Sequence, residues 1–145
     1  MRPETDAAPV SRTARYVGRF LTGFSALFLL FDGIMKVMKV APVLEACAPL
    51  QIPEHVIPGL GIVLTVATLI YLIPQTAILG AILLTGYLGG ATWTHVRMGG
   101  PVFPMVFPSL VGAMVWGGLC LREPRLRALF PLRMQPGVST VPAQG

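Results

Sequence analysis

Four stretches of the chain run almost without a charged residue, and turn-forming residues separate them. They cover about residues 16–36, 56–73, 76–96 and 105–121. An α-helix rises about 1.5 Å per residue, so about 20 residues cross a hydrocarbon layer roughly 30 Å thick. Each stretch meets or approaches that length. Lipid offers no water to satisfy an open sheet edge, which makes helices the expected form. The pattern therefore predicts an all-α fold, a bundle of four transmembrane helices.

The punctuation between the stretches refines this picture. Pro74 and Gln75 leave only a short turn between the second and third segments, which makes those helices antiparallel neighbours. Pro58 falls in the first turn of the second segment, where its missing backbone donor matters least. The connection 37–55 carries Pro42, Pro49 and Pro53, and a short interfacial helix is expected to start at Pro42. Ahead of the fourth segment, GGPVFPMVFPSL (99–110) predicts a helix that starts near Pro104 and bends at Pro108. A start at Pro108 itself would leave a helix too short to span. Residues 1–14 and 134–145 have the composition of disordered tails, which assigns the membrane domain to 15–133. Within it, REPRLRALFPLR (122–133) reads as a basic amphipathic helix lying on anionic lipid.

Composition agrees with the pattern. Hydrophobic residues make up 54% of the chain and charged residues 12%, about half the usual charged share of roughly 25% in a soluble domain. Arg2, Arg12, Arg15 and Arg19 precede or enter the first helix, and Arg122, Arg125, Arg127 and Arg133 follow the fourth. Lys36, Lys39 and Arg97 lie at the opposite ends. By the positive-inside rule both termini are expected to be cytoplasmic, in a bacterial-type inner membrane. The net charge of +5 then reflects topology. No basic reading face for nucleic acid is implied. Glu4 and Asp6 stand where a signal peptide carries basic residues, so the first helix is expected to be retained. Cys47 and Cys120 fall at opposite membrane ends and are poor disulfide partners.

Candidate chemistry gathers at the end away from the termini. Asp32 interrupts the first apolar run, with Lys36 four residues on along the same helical face. Either the two form a neutralised boundary pair, or Asp32 is an ionisable group turned into the bundle interior. The third segment ends in TWTHVR, and Tyr87 lies about two turns below His95. Since the first and third helices run in the same direction, Asp32, Lys36, Tyr87, His95 and Arg97 are expected around one polar pocket, with Asp32 accepting from His95 or Arg97 if the helices touch. Gly86, Gly89 and Gly90 supply a GxxxG-type surface for close helix packing, within the chain or against another copy. Motifs for zinc proteases, serine hydrolases, P-loops and dinucleotide folds are missing. No metal site is expected, and two histidines without an attachment motif do not indicate haem.

LFLLFDGIMKVMK (27–39), YLIPQTAILGAILLTGYLGGATWTHVRMG (71–99) and LREPRLRALFP (121–131) resemble DoxX-like four-helix membrane proteins. The resemblance spans about residues 15–133 and specifies a family more sharply than an activity. The DoxX name is associated with a subunit of a membrane thiosulfate:quinone oxidoreductase. The resemblance thus permits quinone as a cofactor and a membrane-protein partner or homo-oligomer besides the lipid bilayer. The cysteine redox motifs of some distant relatives are absent here. Three classes of function follow: an accessory subunit, a quinone-linked redox component, and a transporter or binder of a small molecule.

Overall fold

A computed structural model describes residues 11–123 and Leu126, and the described residues are helical apart from short connections. The elements are α1 (Arg12–Val37), α2 (Ala41–Cys47), a 3-10 turn (Ala48–Leu50), α3 (Ile57–Leu72), α4 (Ala77–Met98) and α5 (Val102–Arg122). Among them α1, α4 and α5 are long and apolar enough to cross a membrane, while α3 is a shorter apolar helix of 16 residues. The four longer helices run up and down, and each packs on two neighbours in the cyclic order α1, α3, α4, α5. One end of this arrangement carries the connection that contains α2, here called the cap end. The other carries the start of α1 and the close of α5.

Most boundaries fall close to those expected, and two differ for identifiable reasons. Helix α1 begins at Arg12, so part of the expected tail is helical. Ser11 explains the early start: its hydroxyl accepts from the Ala14 backbone N–H at 3.2 Å, satisfying one of the free donors of the first turn. Helix α5 begins at Val102, three residues before the expected segment, and continues through Pro108. Pro101 is its N-cap and Pro104 lies in the first turn, where a helix needs no backbone donor. Pro108 is different, because it has no N–H for the carbonyl four residues earlier. The expected helix at Pro42 is present as α2. Residues 1–10 and 134–145, both expected as tails, lie outside the described residues, as does most of the expected surface helix 122–133. Of that segment Leu126 is buried with the core.

Close approach between helices depends on glycine, since lipid supplies no hydrophobic force to press them together. A Cβ on Gly33 would lie 3.2 Å from the Gly61 carbonyl oxygen, and one on Gly61 would lie 2.6 Å from the Gly33 carbonyl oxygen. These two residues bring α1 against α3. Gly18 and Gly118 do the same for α1 and α5, with Thr22 wedged beside them: a Cβ on Gly118 would lie 2.7 Å from Thr22 Oγ1. At the turn between α3 and α4, a Cβ on Gly80 would lie 2.6 Å from Tyr71 Cβ and nearer still to its backbone. The packing expected at Gly86, Gly89 and Gly90 is not found among the described residues. A Cβ at each of the three would meet nothing within 4 Å. GxxxG spacing alone cannot tell a contact from an open face.

Several threonine hydroxyls are satisfied within their own helix. Thr65, Thr68, Thr85 and Thr94 each donate to the carbonyl four residues earlier. Tyr71 reaches further: fully buried on α3, its hydroxyl donates to the Val115 carbonyl of α5 at 2.9 Å and lies 3.2 Å from the Thr22 hydroxyl of α1. Trp116 of α5 donates its indole N–H to Thr85 of α4 at 2.8 Å. The lipid-side surface is apolar and aromatic, with Phe20, Phe24, Leu27 and Phe31 of α1 all exposed.

Candidate functional site

Toward the cap end the helices border a partly open cavity of about 500 Å³, within the roughly 300–1,000 Å³ range of small-molecule sites. Its walls come mainly from α1, α4 and α5, with Leu60 added from α3. Small residues explain the space. Gly86, Gly90 and Ala91 line it from α4 and Ala46 from α2, positions at which larger side chains would project into the void. Leu88, Val111 and Leu29 form part of the apolar wall. Cys47, Leu50 and Ile52 cover the top, held there by the packing of the 3-10 turn on α4. The chain enters and leaves this cap at Lys39 and Gln51, both with left-handed backbone, at φ 50° and 54°. Such a conformation costs a residue other than glycine roughly 1–2 kcal/mol, so packing of the cap must hold it in place.

The polar residues of the cavity arrive from two helices that face each other across it. Asp32 and Lys36 lie one turn apart on α1 and form an ion pair, with side chains 33% and 16% exposed. Both sequence readings of Asp32 are thereby reconciled. It is neutralised by Lys36, and it also faces the interior. Tyr87, Thr94 and His95 come from α4. Tyr87 and His95 are half-buried, and neither side chain has a hydrogen-bond partner among the described residues. A phenol and an imidazole facing a cavity without protein partners leave hydrogen-bonding capacity for water or a ligand.

The four positions Asp32, Lys36, Tyr87 and His95 therefore meet at one cavity. Arg97 does not. It is exposed two residues beyond His95 on the α4 helix, turned away from the lining. The conditional contact from Asp32 to His95 or Arg97 is also not made, because α1 and α4 lie diagonally in the packing order and the cavity separates them. Gly86 and Gly90 change role, from a packing surface to the cavity wall, whereas Gly89 is exposed outside it.

Comparison with known proteins bears on this arrangement. The sequence pattern of the DoxX-like family matches residues 20–118, from the third turn of α1 to near the end of α5. The chain belongs to the DoxX-like family. With its apolar helices, this makes it an integral membrane protein. No curated protein and no solved structure matches the chain. The matched region of this DoxX-like protein contains every residue of the cavity.

Several cavity residues of this DoxX-like chain escaped the sequence reading. Phe28 and Phe107 meet edge to face, with ring centroids 5.5 Å apart and planes at 76°. In the sequence they look like any lipid-facing phenylalanine. Cys47, Leu50 and Ile52 sit in a proline-rich connection, where apolar residues were the one available signal of a buried face. Burial pushes the Cys47 thiol above its ordinary pKa near 9. Nearby Lys36 opposes this rise and Asp32 adds to it.

Proposed function

We propose that this protein is a four-span membrane protein that binds a small molecule in the cavity at the cap end. The observation that carries this reading is the pairing of free volume with unused polar groups: Tyr87 and His95 line about 500 Å³ of space without a hydrogen-bond partner among the described residues. Packing supports four crossings. Helix α3, about 24 Å long at the standard rise, lies between α1 and α4 and shares their depth, with Val56 and Ile73 extending its apolar run. An even number of crossings puts both termini on one face, and the arginines beside them favour the cytoplasmic face of an inner membrane. The cavity then lies in the outer half of the membrane.

Co-purification from native membranes, with extracted small molecules identified by mass spectrometry, tests the reading. Tyr87→Phe and His95→Ala are expected to lose the retained molecule. Equal retention in both variants would remove these residues from the site.

A second reading, a quinone-linked accessory subunit, is favoured by one observation. Lys36 from α1 and Tyr87 and His95 from α4 bring N–H and O–H groups into a cavity whose lining is mostly apolar, a donor set suited to ring carbonyls. Bound there, a quinone would supply two-electron chemistry, and the chain's own residues would hold and orient its ring. Titration with ubiquinone-1 and menadione should then show binding that Asp32→Asn or His95→Ala weakens. Unchanged affinity in both variants would exclude that site. A transporter would instead give ligand counterflow in liposomes.

A further inference from the structure

The cavity's charge and its edge say what kind of molecule it takes and from which side. Among the described Asp, Glu, Lys and Arg side chains, only Asp32 and Lys36 line the cavity, and they neutralise each other. Lys39, Glu45, Glu54 and Arg97 are exposed and outside it. A charged ligand would therefore have to break the pair or enter without a counter-ion, and in a low-dielectric cavity either is costly. A neutral molecule meets neither obstacle. The polar partners left for it are the Tyr87 hydroxyl and the His95 ring, with apolar and aromatic surface around them.

The edge between α1 and α5 differs from the capped top. Phe28 lines the cavity, is 37% exposed, and directly follows the exposed Leu27 on α1. Its ring meets that of Phe107, and Phe107 in turn meets the exposed Phe103 with centroids 5.6 Å apart. Three rings thus lead from the lipid-facing surface to the cavity wall. Phenylalanine rotamers interconvert rapidly, on a ps–ns scale when exposed, and such a partition opens without moving a helix.

We propose that the cavity takes an uncharged, ring-bearing amphiphile and admits it from the bilayer, between α1 and α5 past Phe28 and Phe107. This rests on the ligand-binding reading above and adds the ligand's class and route. Quinols, quinones and phenols all share that chemistry.

Cys47 provides the test, because it lines the cavity beneath the cap. In a Cys120→Ala background, reconstituted in liposomes, Cys47 is labelled by lipophilic N-phenylmaleimide or by membrane-impermeant sulfonatoethyl methanethiosulfonate. Three size-matched probes compete at equal bilayer concentration: 1-naphthol, 1-naphthoate and 1-naphthylmethylammonium. At about ten times its Kd, naphthol should slow N-phenylmaleimide labelling about tenfold, since only unoccupied protein reacts. The two ions should leave the rate unchanged. Phe28→Ala, and separately the milder Phe107→Leu, should speed N-phenylmaleimide severalfold and leave the sulfonate reagent slow. Protection by either ion as strong as by naphthol, or by none of the three, would overturn the ligand class. Fast labelling by the sulfonate reagent, or equal acceleration of both reagents in the Phe variants, would overturn the route. Failure of the underlying site is distinct: Gly90→Leu would then leave naphthol protection intact.

Discussion

Adding one methyl group at Gly80 or at Gly90 should have opposite effects on stability, although both glycines lie within the same helix. At Gly80 the new Cβ would stand 2.6 Å from Tyr71 Cβ and closer to the Tyr71 backbone, whereas ordinary contact begins at 3.4 Å. The neighbour is backbone, which cannot rotate away, and the turn 73–76 is too short to let α3 and α4 separate at this point. Overpacking of this kind typically costs 1–3 kcal/mol and occasionally more. Gly80→Ala should sit at or above the top of that range, about 3 kcal/mol, because the displaced Tyr71 also carries hydrogen bonds to α1 and α5. At Gly90 the methyl meets nothing within 4 Å, so the substitution keeps only the helical preference for alanine over glycine, up to about 1 kcal/mol. Thermal unfolding in a mild detergent, followed by tryptophan fluorescence, should show Gly80→Ala melting well below wild type and Gly90→Ala at or slightly above it. Equal losses at both positions would refute the assignment of close packing to Gly80 and of open space to Gly90.

Other consequences concern the core and the cap. Tyr71→Phe removes the hydroxyl that bridges α3 to Val115 and Thr22; hydrogen bonds between membrane helices average about 0.6 kcal/mol with a maximum near 1.7, so a loss of about 1 kcal/mol is expected in the same unfolding assay. A loss no larger than that of an exposed control such as Tyr16→Phe would show the bridge to be idle. Burial raises the Cys47 thiol, so in a Cys120→Ala background its alkylation should be slower than that of a free thiol at neutral pH and climb to an inflection above pH 9. Because Asp32 contributes to the rise and Lys36 opposes it, Asp32→Asn should shift the inflection down and Lys36→Met should shift it up. An inflection that ignores both substitutions would place Cys47 away from the pair.

How far the chain could be read from its letters depends on the kind of force involved. Helix positions were legible because lipid imposes a simple rule, long apolar runs bounded by proline and charge, and Ile57–Leu72 and Ala77–Met98 fall within two residues of the expected limits. The two shifted starts came from local chemistry that hydropathy does not register: Ser11 as a cap and Pro104 inside a first turn. Asp32, Lys36, Tyr87 and His95 were legible as a group, since parallel helices of similar length put their ends at one depth. Arg97 was not, because rotation about the helix axis decides which neighbour a residue meets, and two positions beyond His95 lies on another side. The glycines failed for the same reason. Gly33, Gly61, Gly18 and Gly118 make the close contacts without any motif spacing between partners, because each pair is split across two helices.

The most direct test compares the wild-type protein with Gly90→Leu by native mass spectrometry after gentle extraction from the membrane. The leucine side chain would enter the cavity from a position where a Cβ is unobstructed, so it should fill ligand space without unfolding the helices. If the cavity is the binding site, the wild type carries a bound small molecule and Gly90→Leu, with an unchanged melting temperature, does not. The same adduct on both proteins, or none on either, would contradict the account.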